Sequence, residues 1–532
     1  MLLSDEKLKN LRNLINENLR TQVDSDDVSY ISTTHTLSDV SAKQSHCIFA
    51  RRGCGKTLLL HQSRKGLGKD IRAIYINCED FKHHTFPNVL IEILNSIFSE
   101  VEKKLTTWWP SVGKRRKLKI IVSELRDDLN KLKENPDIRD LDVKENSSES
   151  GEDKLNLASE GGFDSKIGVD LKASCSNESV QKKSSEIELK YKHNENKLVQ
   201  LNHKLPEYKD KIRNFFEICD DTKSIFIQID DFYHLTSADQ PYVADYVHRL
   251  CKDTRLKFKI ATLKHNSVLY IERNKQPIGI QERHDYQPIN IDFTFEHFSK
   301  TREQNRGIFL EYARLAGLSA TEFDNLFKGQ GFDRLIMAGG GVPRDCLSFF
   351  LEVLDNVRRG DGDGRIGKDD VRFLSRQTFE SRINELKQDS EGQDQAALLR
   401  GIYVIRSFCL EKKCNIFLVR EEDIQNDDEF KTLLYRLLDY RIIHQVARSL
   451  THKSVTGPNF QAFAIDIGCY AYMRNLQGRM VEIDITDPAA KEKMRSAPIL
   501  DLFGFRKYWG EILGDVEGAL MDQESESQED VA

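Results

Sequence analysis

Apolar residues recur along this chain in two rhythms, and their alternation predicts an α/β core. His46–Ala50, Ile71–Ile76 (IRAIYI), Ser224–Ile229 (SIFIQI) and Lys257–Leu263 (KFKIATL) are short, nearly continuous apolar runs, the pattern of strands buried on both faces. Between them lie segments with helical spacing. Leu58–Gln62 is one, and Tyr242–Cys251 is another. Phe86–Leu105 is the longest, with Val89, Ile93, Leu94, Ile97, Val101 and Leu105 on one face. Strands alternating with helices predict a parallel sheet covered by helices on both sides.

Outside this core the rhythm is helical. Leu8, Leu11, Ile15 and Leu19 mark a short amphipathic arm within 1–35. A helical region is expected over 296–385. Helices followed by two short strands, Ile442–Val446 and Ala462–Ile465, are expected over 395–475. The core itself is interrupted. Residues from about 136 to 186 are rich in Ser, Glu, Asp, Lys, Asn and Gly, so a partly disordered insertion tip is expected there. Around it are coiled-coil-like stretches, the second with Leu198, Leu201, Leu205, Tyr208, Ile212 and Phe215 in 3-4 alternation. Pro206 falls inside that run and predicts a kink or break. The simplest picture of 100–217 is a helical hairpin projecting from the core. The expected divisions are an arm (1–35), a core (36–295) holding the insertion, a helical lid (296–385), a further domain (386–475), and an extension (476–532) with an acidic, disordered tail after about 520.

Composition adds exclusions. Of 532 residues, 39% are hydrophobic and 31% charged, with a net charge of −6; the chain as a whole is therefore no electrostatic binder of nucleic acid, and any such contact must be local. The ten cysteines include no CxxC pair, which reads as free thiols in a reducing cytosol. Asp5, Glu6 and Lys7 stand where a signal peptide needs an apolar run. No run of 18 apolar residues occurs, so no membrane span and a cytoplasmic location are expected.

The candidate chemistry begins where the first strand meets the first helix: Ala50-Arg51-Arg52-Gly53-Cys54-Gly55-Lys56-Thr57. The general pattern is GxxxxGK[ST], with Ala50 in place of the first glycine. Gly53 and Gly55 let the backbone curl until its N–H groups face phosphates. Lys56 is placed to reach β/γ oxygens and Thr57 to give its hydroxyl to Mg²⁺. The helix that follows, starting with Lys56, Thr57 and Leu58, adds its positive end. Residues 52–58 are the expected nucleotide cradle, with ATP as ligand. The strand 225–229 ends in Asp230 and Asp231. It is expected beside the 46–50 strand, so that Asp230 holds Mg²⁺ and Asp231 polarises the attacking water. A shorter acid than Glu at that place fits slow hydrolysis. Thr262 and Lys264 lie at the end of the fourth strand, and in similar ATPases a polar residue there senses the γ-phosphate, a role that either could take. Gly339-Gly-Gly-Val-Pro343-Arg344 is a glycine turn leading into a helix, and Arg344 could reach back over the nucleotide.

Together the loop, the Asp230-Asp231 strand and Gly341-Val-Pro-Arg344 resemble AAA+ and STAND-type ATPases, most closely the bacterial branch similar to origin-recognition-complex ATPases, over roughly 36–98 and 218–475. The resemblance implies a P-loop NTPase core, a lid whose sensor-2 arginine is Arg344, and a C-terminal winged helix. It also implies homo-oligomers, with Arg273 or Arg283 as the finger acting on a neighbour's nucleotide. A role in mobile-element handling or antiphage defence, with partners from the same operon, is implied by such relatives. Ala50 and Asp231 depart from the AAA+ pattern, while the Asp-Asp pair and Lys264 lean towards the STAND side. There the protein would sense a protein ligand and not touch DNA.

Two further segments carry expectations. Lys431–Lys453 holds five basic residues (Lys431, Arg436, Arg441, Arg448 and Lys453) against one acid, Asp439. Such a patch, with His452 beside it, could contact double-stranded DNA through phosphates; the acidic stretch 421–429 speaks against it. Asp361-Gly-Asp363-Gly364 has the look of a calcium loop, but Arg359 would hold its first position, so a tight turn before a helix starting at Lys368 is expected instead.

Overall fold

A computed structural model describes residues 5–19, 28–31, 35–109, 111–134, 177–219, 221–360, 363–390, 392–473 and 479–511. Most of the polar insertion tip, Asp361 and the acidic tail lie outside the described residues. The chain divides into two compact units, 83–219 and the remainder.

In the larger unit, five strands form one parallel sheet: β1 (His46–Phe49), β2 (Ile71–Asn77), β3 (Ser224–Asp230), β4 (Leu256–Thr262) and β7 (Gln287–Asn290), ordered β2-β3-β4-β1-β7. Every residue of β1 and of β3 is buried, as expected where helices cover both faces. Three helices belong to this part: α2 (Thr36–Val40), α3 (Lys56–Lys65) and α7 (Gln240–Cys251). The expected neighbourhood of β1 needs correction. β3 does not lie beside β1; β4 pairs with both, in register His46↔Lys259 to Phe49↔Thr262 on one side and Ile225↔Leu256 to Ile229↔Ile260 on the other. All three strands are apolar and buried, so hydropathy places them in one sheet without fixing which one is central. β7 (QPIN) and the exposed hairpin of β5 (Tyr270–Arg273) and β6 (Gln276–Gly279) are too short and too polar to stand out as strands.

The helices α8 (Phe298–Leu315), α9 (Ala320–Asp324), α10 (Gly331–Ala338), α11 (Pro343–Arg359) and α12 (Lys368–Asp389) follow. Phe309, Phe323, Phe327, Phe332 and Phe350 pack ring on ring among them. The amphipathic arm, α1 (Asp5–Asn18), buries Leu8, Leu11 and Ile15 in the same apolar cluster, and Lys7 pairs with Glu322 at 2.8 Å. α12 does begin at Lys368 after the Gly364 turn (φ 69°).

The last part is α13 (Gly392–Glu411), β8 (Ile416–Arg420), α14 (Glu421–Asn426), α15 (Asp428–Asp439), β9 (Ile443–Thr451) and β10 (Asn459–Ile465), then α16 (Ala490–Met494) and α17 (Leu502–Glu511). β8, β10 and β9 form an antiparallel sheet. Among the described residues no helix is long and apolar enough to cross a membrane.

The smaller unit holds α4 (Asn88–Trp108), α5 (Val112–Glu134) and α6 (Asn177–Ile218). The predicted face of α4 is buried from Val89 to Leu105. Pro206 lies inside α6 without breaking it, so the expected break does not occur. Burial of Leu201, Leu205, Tyr208 and Ile212 on both sides of it outweighs a lost hydrogen bond and ring clash that cost about 3 kcal/mol.

Candidate functional site

The segment from β1 into α3 is built by two left-handed glycines. Gly53 has φ 81° and Gly55 φ 86°, a region side chains avoid. Between them the chain reverses and enters α3 with Lys56 as its first residue. Lys56 is buried, and its Nζ donates to the carbonyl oxygens of Ala50 (3.0 Å) and Arg51 (3.3 Å). Burial lowers its pKa, opposed by the charge of Asp231.

α3 then runs across the sheet. The Gln228 amide on β3 donates to the Leu60 carbonyl and to Ser63 Oγ, both at 3.0 Å, which fixes where the helix begins relative to β3. Although β4 intervenes, the head of α3 therefore reaches the end of β3, and the Thr57 hydroxyl is near enough to the Asp230 carboxylate to favour its charged form. Asp230 is fully buried and also accepts from Tyr75 Oη at 2.9 Å and from the N–H of Asp231 at 2.9 Å. Burial, and then the neighbouring Asp231 charge, push the Asp230 pKa up to about 6, against the pull of Thr57, Lys56 and Tyr75. Asp231 turns off the strand in a left-handed conformation (φ 50°).

A curled loop between a buried strand and a helix, with the head of that helix against an acid from a strand two places away, decides the fold. The core is that of a P-loop NTPase.

In this P-loop core, Thr262 ends β4 directly beside Phe49, and the Ala50 N–H donates to the Thr262 carbonyl at 3.3 Å. The Thr262 hydroxyl is shared with Ser267 Oγ at 2.5 Å. Lys264 is exposed. Arg344, on the first turn of α11, donates its backbone N–H to the Gly53 carbonyl at 3.3 Å, so the predicted glycine turn sets the head of α11 on the loop. Gly340 and Gly341 have φ of 63° and 73°. Leu58 and Arg52 are half-buried and Cys54 is buried. Arg273 bonds Tyr242 Oη at 3.2 Å, and Arg283 is 82% exposed beside Glu282.

Several residues of the site carry no sequence signal, because their partners are far away in the chain. Arg51 forks onto Asp292, with Nε–Oδ2 2.6 Å and Nη2–Oδ1 2.9 Å, and its Nη1 donates to Gly340 O at 2.9 Å. Burial would raise the Asp292 pKa, but the Arg51 charge and hydrogen bonds hold it below the usual range. Arg52 lies over the Tyr233 ring at 4.7 Å and 3.6 Å from Glu385. Tyr75 and Tyr233 could have been suspected only from their closeness to the motifs.

In the structure the basic residues of segment 431–453 have acidic partners. Arg441 is only 2% exposed, clasped by Asp345 (3.0 Å) and Glu385. Arg436 is paired with Asp394, Lys431 with Asp428 (3.8 Å), Arg448 with Glu296 (2.7 Å) and Lys453 with Glu492 (3.1 Å). Counting charges along the sequence missed these partners, which come from α11, α12, α13 and elsewhere. Asp439, the one acid of that segment, is also buried and accepts the N–H of His265 at 3.1 Å. Burial raises its pKa to about 7.

Neither protein-family models nor curated proteins give a match to the chain. Among solved structures it is similar to a Walker-type ATPase of Pyrococcus abyssi, at 12% identity over 85% of this chain and 98% of that one, with a TM-score of 0.38. It is also similar to the ORC1 protein of Aeropyrum pernix in complex with DNA, at 12% identity over 90% and 97%, with a TM-score of 0.28. At that distance the fold assignment rests on the strand order and loop geometry of this chain itself.

The contact between loop and lid makes one substitution informative. A Cβ on Gly53 would sit 2.8 Å from Val342 Cγ1 and 2.9 Å from Arg344 Cβ. Gly53→Ala is expected to cost about 1–3 kcal/mol through left-handed strain and overlap. A lowered urea midpoint checks this; an unchanged midpoint would show that α11 does not rest on the loop.

Proposed function

We propose that this chain binds ATP with Mg²⁺ and hydrolyses it slowly, using the nucleotide to set the position of its helical lid. One observation carries the reading: the Lys56 amine, the Thr57 hydroxyl, the Asp230 carboxylate and the head of α11 converge on a loop curled by two left-handed glycines. The backbone N–H groups of 52–58 would face the phosphates. Lys56 would exchange its two carbonyl partners for β/γ oxygens. Thr57 and Asp230 offer hard oxygen donors suited to Mg²⁺, which when bound neutralises charge on the phosphates. Asp231 would orient the attacking water, Thr262 would report the γ-phosphate, and Arg344 would draw the lid in as a phosphate donor. Lys264, being exposed, would join only after a local shift. Arg273 and Arg283 lie on the 270–286 stretch, where a second copy's nucleotide is what they would reach.

The β8-α14-α15-β9-β10 order fits a winged helix in this reading. Its basic residues are engaged within the protein, Arg441 with the lid itself. That favours a domain that works through protein contacts over one that grips DNA through 431–453. A place in defence or mobile-element handling rests on the resemblance alone.

The test is phosphate release from ATP with Mg²⁺, comparing the unaltered chain with Arg344→Ala. Loss of one charged hydrogen bond to phosphate should lower kcat/KM about tenfold. No phosphate release from the unaltered chain would end the enzymatic reading, and equal turnover by both would remove Arg344 from it.

A further inference from the structure

The sequence holds a denser basic run than the one counted in 431–453. Residues 103–119, in the smaller unit, contain seven basic residues (Lys103, Lys104, Lys114–Lys117 and Lys119) and no Asp or Glu. Lys114, Arg116, Lys117 and Lys119 are exposed and Arg115 is half-buried. Among the described residues, no carboxylate is paired with Arg115, Arg116, Lys117 or Lys119. Several other cations of the same unit are engaged: Lys103 pairs with Glu100 (2.8 Å), Lys211 lies between Glu124, Asp128 and Glu207, and Lys133 pairs with Glu92.

Two features show that this charge does not serve the helix. Lys114, Arg115, Arg116 and Lys117 sit at the amino end of α5, where the helix's own partial positive charge disfavours cations. Arg115 and Lys119 are also a like-charged i,i+4 pair. A polyanion reverses both penalties. Beside the cations is a partly exposed aromatic ring held in place: Trp108 meets Trp109 edge-on at 5.5 Å, and Trp109 is buried against Phe215 at 5.5 Å. The Lys104 amine lies 5.8 Å from the Trp108 centroid.

We propose that the 103–119 surface binds nucleic acid through its phosphate backbone, without sequence preference, with Trp108 offering a face for a base or sugar. The guanidinium and ammonium groups of Arg115, Arg116, Lys117 and Lys119, beside a fixed aromatic, are the elements of such a contact. A lipid surface fits less well, because Val112 and Ile120 are the large apolar residues exposed on the α5 part of the patch, too little area to insert. This inference does not depend on the triphosphate reading.

The experiment measures anisotropy of a labelled 30-nucleotide single strand and of its duplex with the full chain in nucleotide-free buffer, over a salt titration. Tight binding at low salt, falling steeply as salt rises, is expected for at least one of the two. The triple variant Arg116→Ala/Lys117→Ala/Lys119→Ala should bind about tenfold or more weakly and lower the log–log salt slope by about 2–3. Its helix should be no less stable, since like charges are removed. Arg448→Ala/Lys453→Ala should bind as the unaltered chain does. No binding by the unaltered chain, or a triple variant with the same affinity and slope, would overturn the proposal. So would capture by phosphatidylserine vesicles without capture by either oligonucleotide.

Discussion

Lys56→Ala is expected to weaken ATP affinity about a hundredfold or more, from the loss of two charged hydrogen bonds of roughly 1.5–3 kcal/mol each. The Lys56 amine already makes two bonds, to the carbonyls of Ala50 and Arg51, so the loop is held in shape by the side chain that would leave it for phosphate. Its burial lowers its pKa, and an approaching polyanion reverses that by stabilising the charged form. The variant should therefore lose nucleotide without losing the sheet. Titration calorimetry with ATP and Mg²⁺ gives the affinity and circular dichroism the fold. An affinity unchanged in a folded variant would mean that the triphosphate, if it binds at all, sits elsewhere.

The second large effect is on stability. Arg441→Ala should destabilise the chain by about 3 kcal/mol, at the low end for an interrupted buried ion pair. The removed cation is 2% exposed, whereas Asp345 and Glu385 keep 22% and 19% of their side-chain surfaces in water and are partly screened. Arg436→Ala is the control. Its partner Asp394 is 52% exposed, so a change of about 1 kcal/mol or less is expected. Urea midpoints of the two variants give the comparison. Equal, small shifts would show Arg441 to be no keystone.

What the chain discloses before folding is uneven, for a physical reason. The four runs of buried strand residues and the long face of α4 are local patterns, set by a period of two or of 3.6, and they reappear as β1, β2, β3, β4 and α4. The phosphate loop is equally local, since its glycines, lysine and threonine are neighbours. Strand order is not local: hydropathy could not say that Lys257–Leu263 slips between the other two. Ion pairing is even less so. Arg51 and Asp292 are 241 residues apart, and the charges of 431–453 look free until α11, α12 and α13 arrive. The basic run at 103–119 was legible as composition, but its lack of partners is a fact of the fold.

One turn has a mechanical corollary. Asp439 grips the N–H of His265, three residues past Thr262, while Arg441, two positions further on, grips Asp345 at the head of α11. Residues 439–441 are thus a yoke between the far end of β4 and the lid. The two cannot travel in opposite directions unless one grip lets go, so a displacement at Thr262 is geared to one at the head of α11.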